Sequence, residues 1–285
     1  MLLGLLALLW GSSYLFIKVA VATIPPLTLM AARVTLAAAV LVLVARLQRR
    51  SFPADRATWR ALFVQSVLNS TAAWALLAWG AQFVDSGLAG VLNSTSPIFV
   101  FFITLLWTRH ETVNALKLVG ALLGLAGVVL IIGVEALAGL GREVAAQLAV
   151  LASAGLYAGA AIYGKRFTHL PPVITAAGAT LWASAVLVPA SLLVERPWTL
   201  EPAPVSVLAL LALSLFSTAG ALLLYFRLIG SLGSMGVASQ AYLRAGVSVL
   251  LGAIVLGERL DWTVGLGLVA VILGVAAINT RLGRS

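Results

Sequence analysis

Two arginines, Arg33 and Arg244, lie inside long apolar segments, where a positive charge is expensive. A cation at the centre of a bilayer costs at least about 2.5 to 3.5 kcal/mol, and such residues commonly mark a functional site. Arg33 lies nearer one end of its segment, so we expect it to reach the outer surface or bind backbone carbonyls. Arg244 lies near the middle of its segment, beyond easy reach of the surface.

The chemistry that suits Arg244 is the binding of an anion. A guanidinium fork can donate two parallel hydrogen bonds to a carboxylate. All nine acidic residues fall in loops or at segment ends, so the sequence offers Arg244 no obvious counter-ion. We predict that Arg244 holds the carboxylate of a substrate. The alternative is a structural arginine that binds backbone carbonyls or water.

Polar and aromatic side chains recur on single helical faces near Arg244 and in four other apolar segments. Lipid-facing helices gain nothing from such stripes, so we expect them to face an internal cavity. Serines and threonines are assigned to helix packing, where small residues are common. The larger residues are predicted to bind a zwitterion with an apolar or aromatic side chain: they are Trp10, Tyr14, Asn69, Trp74, Asn93, Tyr157, Gln240 and Arg244.

Several other kinds of chemistry have no residues to support them. The chain has no cysteine, and both histidines lie at segment ends. Neither a mid-segment serine–histidine pair nor a pair of mid-segment aspartates is present, so we predict no intramembrane protease and no other enzyme. Clusters of metal-binding side chains are missing too. The sequence therefore predicts no catalytic residue, metal site or cofactor.

The composition indicates an integral membrane protein. Of 285 residues, 62% are hydrophobic and only 9% are charged, with a mean hydropathy of +1.09. Soluble domains carry about 25% charged residues. A net charge of +9 can indicate nucleic-acid binding, but these charges lie between apolar runs rather than in one patch. We therefore expect a lipid bilayer and a small molecule as partners, and no nucleic acid.

Ten apolar segments are long enough to cross a bilayer as helices, which need about 20 residues each. The absence of alternating ten-residue segments excludes a β-barrel, so the predicted fold is an all-α integral membrane protein. The predicted spans are residues 2–21, 27–46, 61–84, 86–107, 115–134, 144–164, 173–194, 205–228, 235–256 and 263–282.

Basic residues lie mostly on one side of this arrangement. Twelve lysines and arginines, including Arg49, Arg109 and Arg166, share the side of both termini, whereas only four lie opposite. The positive-inside rule then places both termini in the cytoplasm. We expect a multi-pass protein of the cell inner (plasma) membrane.

The two halves of the chain repeat one pattern. A shift of 147 residues superimposes Glu111, Gly120 and Gly127 on Glu258, Gly267 and Gly274. We predict two five-helix repeats, residues 1–143 and 144–285, within one membrane domain. Because five spans reverse the direction of the chain, the second repeat is inverted relative to the first. Such repeats are common in secondary transporters, with the substrate at their interface.

Helix-breaking and small residues have separate predicted roles. Pro97 removes a backbone donor, so we expect a kink in the fourth span that acts either as a hinge or as a static bend. The repeated glycines Gly120, Gly127, Gly267 and Gly274 are predicted to let the fifth and tenth helices pack closely.

These residues resemble the EamA-type transporters of the drug/metabolite transporter superfamily. The resemblance rests on Trp10-Gly11-Ser12-Ser13, Pro25 and Arg33, then on Pro97, Glu111, Gly120 and Gly127, and on the second set Glu258, Gly267 and Gly274. It covers nearly the whole chain and is nearest to bacterial aromatic amino-acid exporters. One departure is Arg244, which stands where the family often repeats its proline.

The resemblance implies a ten-helix inner-membrane carrier. We predict a secondary transporter that moves small metabolites, chiefly amino acids including aromatic ones, out of the cell by alternating access about a central cavity. Export is implied by the resemblance alone. The alternatives are a carrier for nucleosides, sugars or drugs of the same superfamily, and a channel or lipid scramblase.

Overall fold

A computed structural model describes residues 1–80, 83–84, 86–109, 111–133, 137, 140, 143–256 and 262–280. Within these residues the chain is helical and has no β-strand. The α-helices are α1 (Leu2–Gly11), α2 (Ser13–Ala20), α3 (Pro26–Leu47), α4 (Arg56–Ser66), α5 (Ala72–Gly80), α6 (Ser86–Asn93), α7 (Ser96–Ile103), α8 (Ala115–Ile132), α9 (Val144–Gly164), α10 (Pro172–Val194), α11 (Pro204–Ser214), α12 (Ala221–Ala238), α13 (Gln240–Leu256) and α14 (Trp262–Asn279).

Several predicted spans are not single straight helices. Short wide turns with π-helical hydrogen bonding join α4 to α5 (Val67–Thr71) and α11 to α12 (Leu215–Gly220), and a third follows α7 (Thr104–Thr108). The turns in the third and eighth predicted spans begin 148 residues apart in the sequence. π-Helical turns widen a helix locally and are frequent at functional sites.

By length and hydropathy, seven helical segments of the described residues can each cross a membrane. The predicted first span is divided at Ser12, and α13 has 17 residues. The eighth and ninth predicted spans meet at Gly233, whose φ of 76° and ψ of 177° interrupt α12. The positive φ suits glycine because a side chain there is strained. With these seven membrane-crossing segments, the chain is a multi-pass membrane protein.

Two long helix pairs form the outer parts of the molecule. α3 packs along α10, and α8 packs along α14. α1 and α2 contact α13 and α11, whereas α9 contacts α5, α6 and α7. The largest buried cluster extends from Leu41 in α3 to Ile278 in α14 and includes Tyr242, which donates a hydrogen bond to the Ala121 carbonyl at 2.8 Å.

α8 and α14 cross at glycines. A Cβ built on Gly120 would lie 2.8 Å from the carbonyl oxygen of Gly274, and one on Gly127 would lie 2.7 Å from that of Gly267. The reciprocal distances, from Gly267 and Gly274 to the α8 carbonyl oxygens, are 2.7 and 2.6 Å. These backbones approach so closely that any side chain would force the two helices apart.

Two carboxylates bind helix beginnings in the opposite half of the chain. Glu195, just after α10, accepts hydrogen bonds from the backbone nitrogens of Leu27 and Thr28 at 3.1 and 2.6 Å. Glu111 accepts from the Ser234 hydroxyl and from the backbone nitrogen of Met235 at 3.2 Å. Backbone N–H groups at a helix beginning lack intrahelical partners and favour negative charge. These contacts therefore join the two halves.

The glycine crossing gives a matched pair of substitutions in α14. Gly267→Ala places a methyl group against the α8 backbone and should lower the free energy of unfolding by about 1 to 3 kcal/mol. Gly265→Ala is the control, because a Cβ there meets nothing within 4 Å. Thermal unfolding of the purified variants in detergent measures both effects. Equal stability of the two variants would contradict this account of the crossing.

Candidate functional site

The interior contains a cavity of about 330 Å³ between α1, α2, α3, α5, α6, α7, α9, α12 and α13. It lies where the helices are interrupted. Trp10 comes just before the junction of α1 with α2, Asn69 lies in the wide turn before α5, and Asn93 is the last residue of α6. Irregular backbone inside a membrane protein is tolerated where it lines a cavity, because its polar groups then find partners.

The cavity brings together seven of the eight residues that the sequence predicts for substrate binding. These are Trp10, Asn69, Trp74, Asn93, Tyr157, Gln240 and Arg244. They come from six different helices or turns, so the sequence separates them by up to 234 residues. The side chain of the eighth, Tyr14, lies outside the described residues. That these groups bind a substrate stays a prediction.

Arg244 is held by an amide across the cavity. Its Nη2 donates a hydrogen bond of 2.8 Å to Oδ1 of Asn93. A guanidinium has only donors, so it must face the oxygen of this amide, and the Asn93 NH₂ group points the other way. Asn93 is only 3% exposed. The contact therefore fixes the orientation of the Asn93 amide.

Two amide atoms at the cavity wall are buried without a hydrogen-bond partner. They are Nδ2 of Asn93, which is a donor, and Oε1 of Gln240, which is an acceptor. Gln240 stands one helical turn before Arg244 on the same face of α13. A buried polar atom that lacks a partner costs about 1 to 3 kcal/mol. A ligand with suitable polar groups would recover part of that cost.

Arg33 also lines the cavity. Of the two expectations for it, binding to a backbone carbonyl is confirmed, and the side chain does not extend to the outer surface. Its side chain is 6% exposed. Nε donates to the Thr218 hydroxyl at 2.6 Å, and Nη2 donates to the Ser217 carbonyl at 3.3 Å. Both partners belong to the wide turn Leu215–Gly220, which turns a hydroxyl and a carbonyl towards α3. The turn thus supplies two hydrogen-bond acceptors to the Arg33 guanidinium.

Aromatic rings form much of the remaining wall. The ring centroids of Trp10 and Tyr225 are 5.4 Å apart. The Arg33 guanidinium carbon lies 4.6 Å from the ring centroid of Trp74, within range of a cation–π interaction. Tyr157 lies on the same cavity. An apolar or aromatic ligand body would therefore meet rings on several sides.

Sequence reasoning missed part of this site. Arg33, Tyr225 and the small residues Ser13, Ser96, Ser217 and Thr218 also line the cavity. The serines and threonines were assigned to helix packing, and Arg33 to the outer surface or to backbone carbonyls. One signal could have found Arg33: it is the second cation within an apolar segment, and both cations carry the same cost.

Pro97 occupies a different local position from the predicted one. The fourth span is two helices, α6 and α7, separated by Ser94 and Thr95, and Pro97 lies in the first turn of α7. Proline is tolerated there because the backbone nitrogens of a first turn need no intrahelical partner. The break therefore comes before the proline rather than at a kink around it, and a hinge role stays a prediction.

The arrangement of the cavity wall is suited to binding a small molecule. The described cavity wall includes two arginines, three amides and four aromatic rings, and no acidic side chain. Among the described residues, no group of His, Cys, Asp or Glu could hold a metal ion. The groups present can bind a carboxylate and surround an apolar body.

Comparison with known sequences gives one family. The model of the EamA-like transporter family matches residues 1–133 and again residues 144–280. The uncharacterized transporter YvbV of Bacillus subtilis is 28% identical over 99% of this chain and 91% of its own length. The uncharacterized inner membrane transporter YedA of Escherichia coli is 29% identical over 96% of this chain and 88% of its own length.

A solved structure, described only as a crystal structure of a protein, has a similar fold. Its TM-score is 0.81 at 20% sequence identity, and the match covers 97% of this chain and 96% of that one. At this identity the similarity concerns the fold alone.

The absence of cysteine makes access to the cavity directly testable. In this cysteine-free chain, Ser96→Cys introduces a thiol at the cavity wall. We expect a small hydrophilic thiol reagent to label it, because a wet cavity allows the thiolate to form. Val269→Cys is the control. Val269 lies on the outer face of α14 with 54% of its surface exposed, so the introduced thiol should stay unlabelled in lipid. Labelling of Val269→Cys alone would contradict the described cavity.

Proposed function

Because this chain belongs to the EamA-like transporter family, we propose that it is a secondary transporter that moves amino acids, including aromatic ones, out of the cell. The cavity is the proposed substrate site, and alternating access is the proposed mechanism. The family establishes a membrane transporter of small molecules. The amino-acid substrate and the outward direction are our proposals, and the direction rests on the resemblance to exporters.

One observation carries the choice of substrate, namely the pair formed by Arg244 and Asn93. Both residues supply donors, since the Arg244 guanidinium is bound to Oδ1 of Asn93 and the Nδ2 of that amide has no partner. A carboxylate can accept from both residues. The unpartnered Oε1 of Gln240 can accept from an ammonium group one helical turn away. Trp10, Trp74 and Tyr157 then surround the side chain of the amino acid.

Two inverted repeats of five helices are the proposed architecture, with repeats at residues 1–143 and 144–285. The family model matches once in each repeat. The helix contacts also occur in equivalent sets of predicted spans. The first span (α1, α2) contacts the eighth and ninth (α11, α12, α13), as the sixth (α9) contacts the third and fourth (α4, α5, α6, α7). The pairs α3 with α10 and α8 with α14 each join equivalent helices. Such a pattern is what a two-fold axis in the membrane plane would produce.

Alternating access is supported by the contacts that join the halves. Glu111 binds the beginning of the segment at Ser234, and Glu195 binds the beginning of α3. Both are polar contacts, whereas the glycine crossing of α8 and α14 is a backbone contact between equivalent helices. Rocking of one repeat against the other would break polar contacts at one end of the molecule at a time.

Topology distinguishes an inverted repeat from a parallel one. Ser51 and Trp198 are equivalent under the 147-residue shift, and both are exposed in loops. We expect an impermeant maleimide to label Trp198→Cys in intact cells and to label Ser51→Cys only after the membrane is opened, because the positive-inside rule places Ser51 in the cytoplasm. Labelling of both from the same side would contradict the inverted architecture.

Counterflow in proteoliposomes tests the transport activity. Vesicles loaded with unlabelled phenylalanine should accumulate external labelled phenylalanine, with saturation and with acceleration by substrate on the opposite side. A channel would show neither property. A panel of nucleosides, sugars and quaternary-ammonium drugs tests the alternative carriers, and exchange restricted to one of those classes would contradict the amino-acid proposal.

Arg244→Gln tests the proposed carboxylate contact. Loss of a charged hydrogen bond should weaken the apparent affinity for phenylalanine by about 10- to 100-fold. Arg227→Gln is the matched control, because Arg227 is exposed and lies outside the cavity wall. Both variants need the same thermal stability as the parent. An unchanged affinity of Arg244→Gln would assign Arg244 a structural role.

A further inference from the structure

Two equivalent loops of the halves differ in charge. The loop after α3 and the beginning of α4, residues 46–60, contain five arginines and one acidic residue. The residues that the 147-residue shift superimposes on them, 193–207, contain one arginine and two acidic residues. We call the five arginines the arginine cluster: they are Arg46, Arg49, Arg50, Arg56 and Arg60.

The backbone of the two loops is nevertheless alike where each helix ends. Arg49 is the second residue after α3, and its equivalent Arg196 is the second residue after α10. Both have a left-handed conformation, with φ values of 52° and 47°, which residues other than glycine rarely adopt. Arg196 makes this turn in a segment with no other basic residue. The turn itself therefore does not require the arginine cluster.

Aromatic contacts give the segment a fixed structure. The rings of Phe52 and Trp59 are stacked, with centroids 6.0 Å apart. Nε1 of Trp59 donates to the Pro53 carbonyl at 2.9 Å, and Nε1 of Trp182 on α10 donates to the Trp59 carbonyl at 3.0 Å. An orientation signal for insertion needs only a number of positive charges. Here the charges are also held in place.

The cluster lies at the level of the lipid headgroups. It begins at the end of α3, which is long and apolar enough to cross a membrane. Tryptophan, represented here by Trp59, favours the interface between lipid and water. The arginines are exposed and line no part of the cavity. They therefore face the aqueous surface of the bilayer, away from the proposed substrate site.

The guanidinium groups of the cluster are available to an external anion. With the residues that the structure describes, none of the five makes a hydrogen bond or an ion pair. The acidic side chain of the segment, Asp55, instead accepts a hydrogen bond from the backbone nitrogen of Thr58 at 2.7 Å and caps α4. Neighbouring like charges repel one another, so an anion that binds several of them stabilises the segment.

We propose that the arginine cluster binds the phosphate groups of anionic phospholipids. A guanidinium group can donate two parallel hydrogen bonds to a phosphate. Clusters of about four to eight basic residues directly after a membrane-crossing helix are typical of sites for anionic lipids. The phosphates of lipids are concentrated at the depth where the cluster lies, so the ligand is a lipid headgroup rather than free phosphate. The inference goes beyond the proposed function, because it holds whatever the cavity transports.

Native mass spectrometry of the full chain in detergent tests the preference, because it counts bound lipids. Dioctanoyl-phosphatidylglycerol is anionic, whereas dioctanoyl-phosphatidylcholine has the same acyl chains and no net charge. We expect the phosphatidylglycerol to bind at least about 20-fold more tightly, since several arginines each contribute to its binding. Binding of the two lipids within about threefold of each other would overturn the proposal. Binding of glycerol 3-phosphate as tight as that of the phosphatidylglycerol would overturn it too, because the site would then recognise free phosphate.

A double variant assigns the preference to the cluster. Arg50→Gln combined with Arg56→Gln removes two charges from exposed positions and should reduce the preference for phosphatidylglycerol by at least about fivefold. If this variant does not fold, the two single variants measure the same loss one residue at a time, at least about twofold each. An unchanged preference would contradict the proposed site. Because the measurement is made in detergent, a change of orientation during membrane insertion does not affect it.

Two single variants are the matched controls. Arg196→Gln changes the arginine with the same backbone turn at the other end of α3, where the neighbouring Glu195 binds the backbone of Leu27 and Thr28. Arg227→Gln changes an exposed arginine outside the cluster. Both should keep the preference of the parent protein. A loss in either control as large as in the double variant would show a general effect of positive charge and overturn a site at the cluster.

Discussion

A buried guanidinium is the constraint on which the rest of this structure depends. A cation at the centre of a bilayer is costly unless polar groups surround it. Here two such cations line one cavity, and their contacts include an amide at Asn93 and a hydroxyl and a carbonyl at Thr218 and Ser217. These contacts give the buried guanidinium groups hydrogen-bond acceptors within the protein interior.

The irregular parts of the helices follow from that constraint. Straight helices bond their own backbone groups and have little to offer a charged side chain. The wide turn Leu215–Gly220 supplies groups to Arg33, and the break after α6 places Asn93 opposite Arg244. The regular helices α8 and α14 lie elsewhere and pack through glycine backbones. The molecule thus combines closely crossing helix pairs with a central cavity lined by aromatic, apolar and a few polar side chains.

Much of the site could be predicted from the sequence because membrane-buried polar side chains must face inward. That rule selected seven residues that the structure places around one cavity, from Trp10 to Arg244. The partners of Arg33 could not be predicted, since they belong to a π-helical turn of a distant helix that no local pattern marks. The division of the first, third, fourth and eighth spans was missed because hydropathy reports composition and not the path of the backbone.

A structure with bound 4-iodophenylalanine tests the central claim most directly, because the anomalous signal of iodine locates the ligand independently of its fitted shape. The account predicts iodine among the aromatic rings of the cavity, with the ligand carboxylate within hydrogen-bonding distance of Arg244 and of the Asn93 amide nitrogen. A ligand bound outside the cavity, or an Arg244 guanidinium paired with a carboxylate of the protein itself, would contradict it.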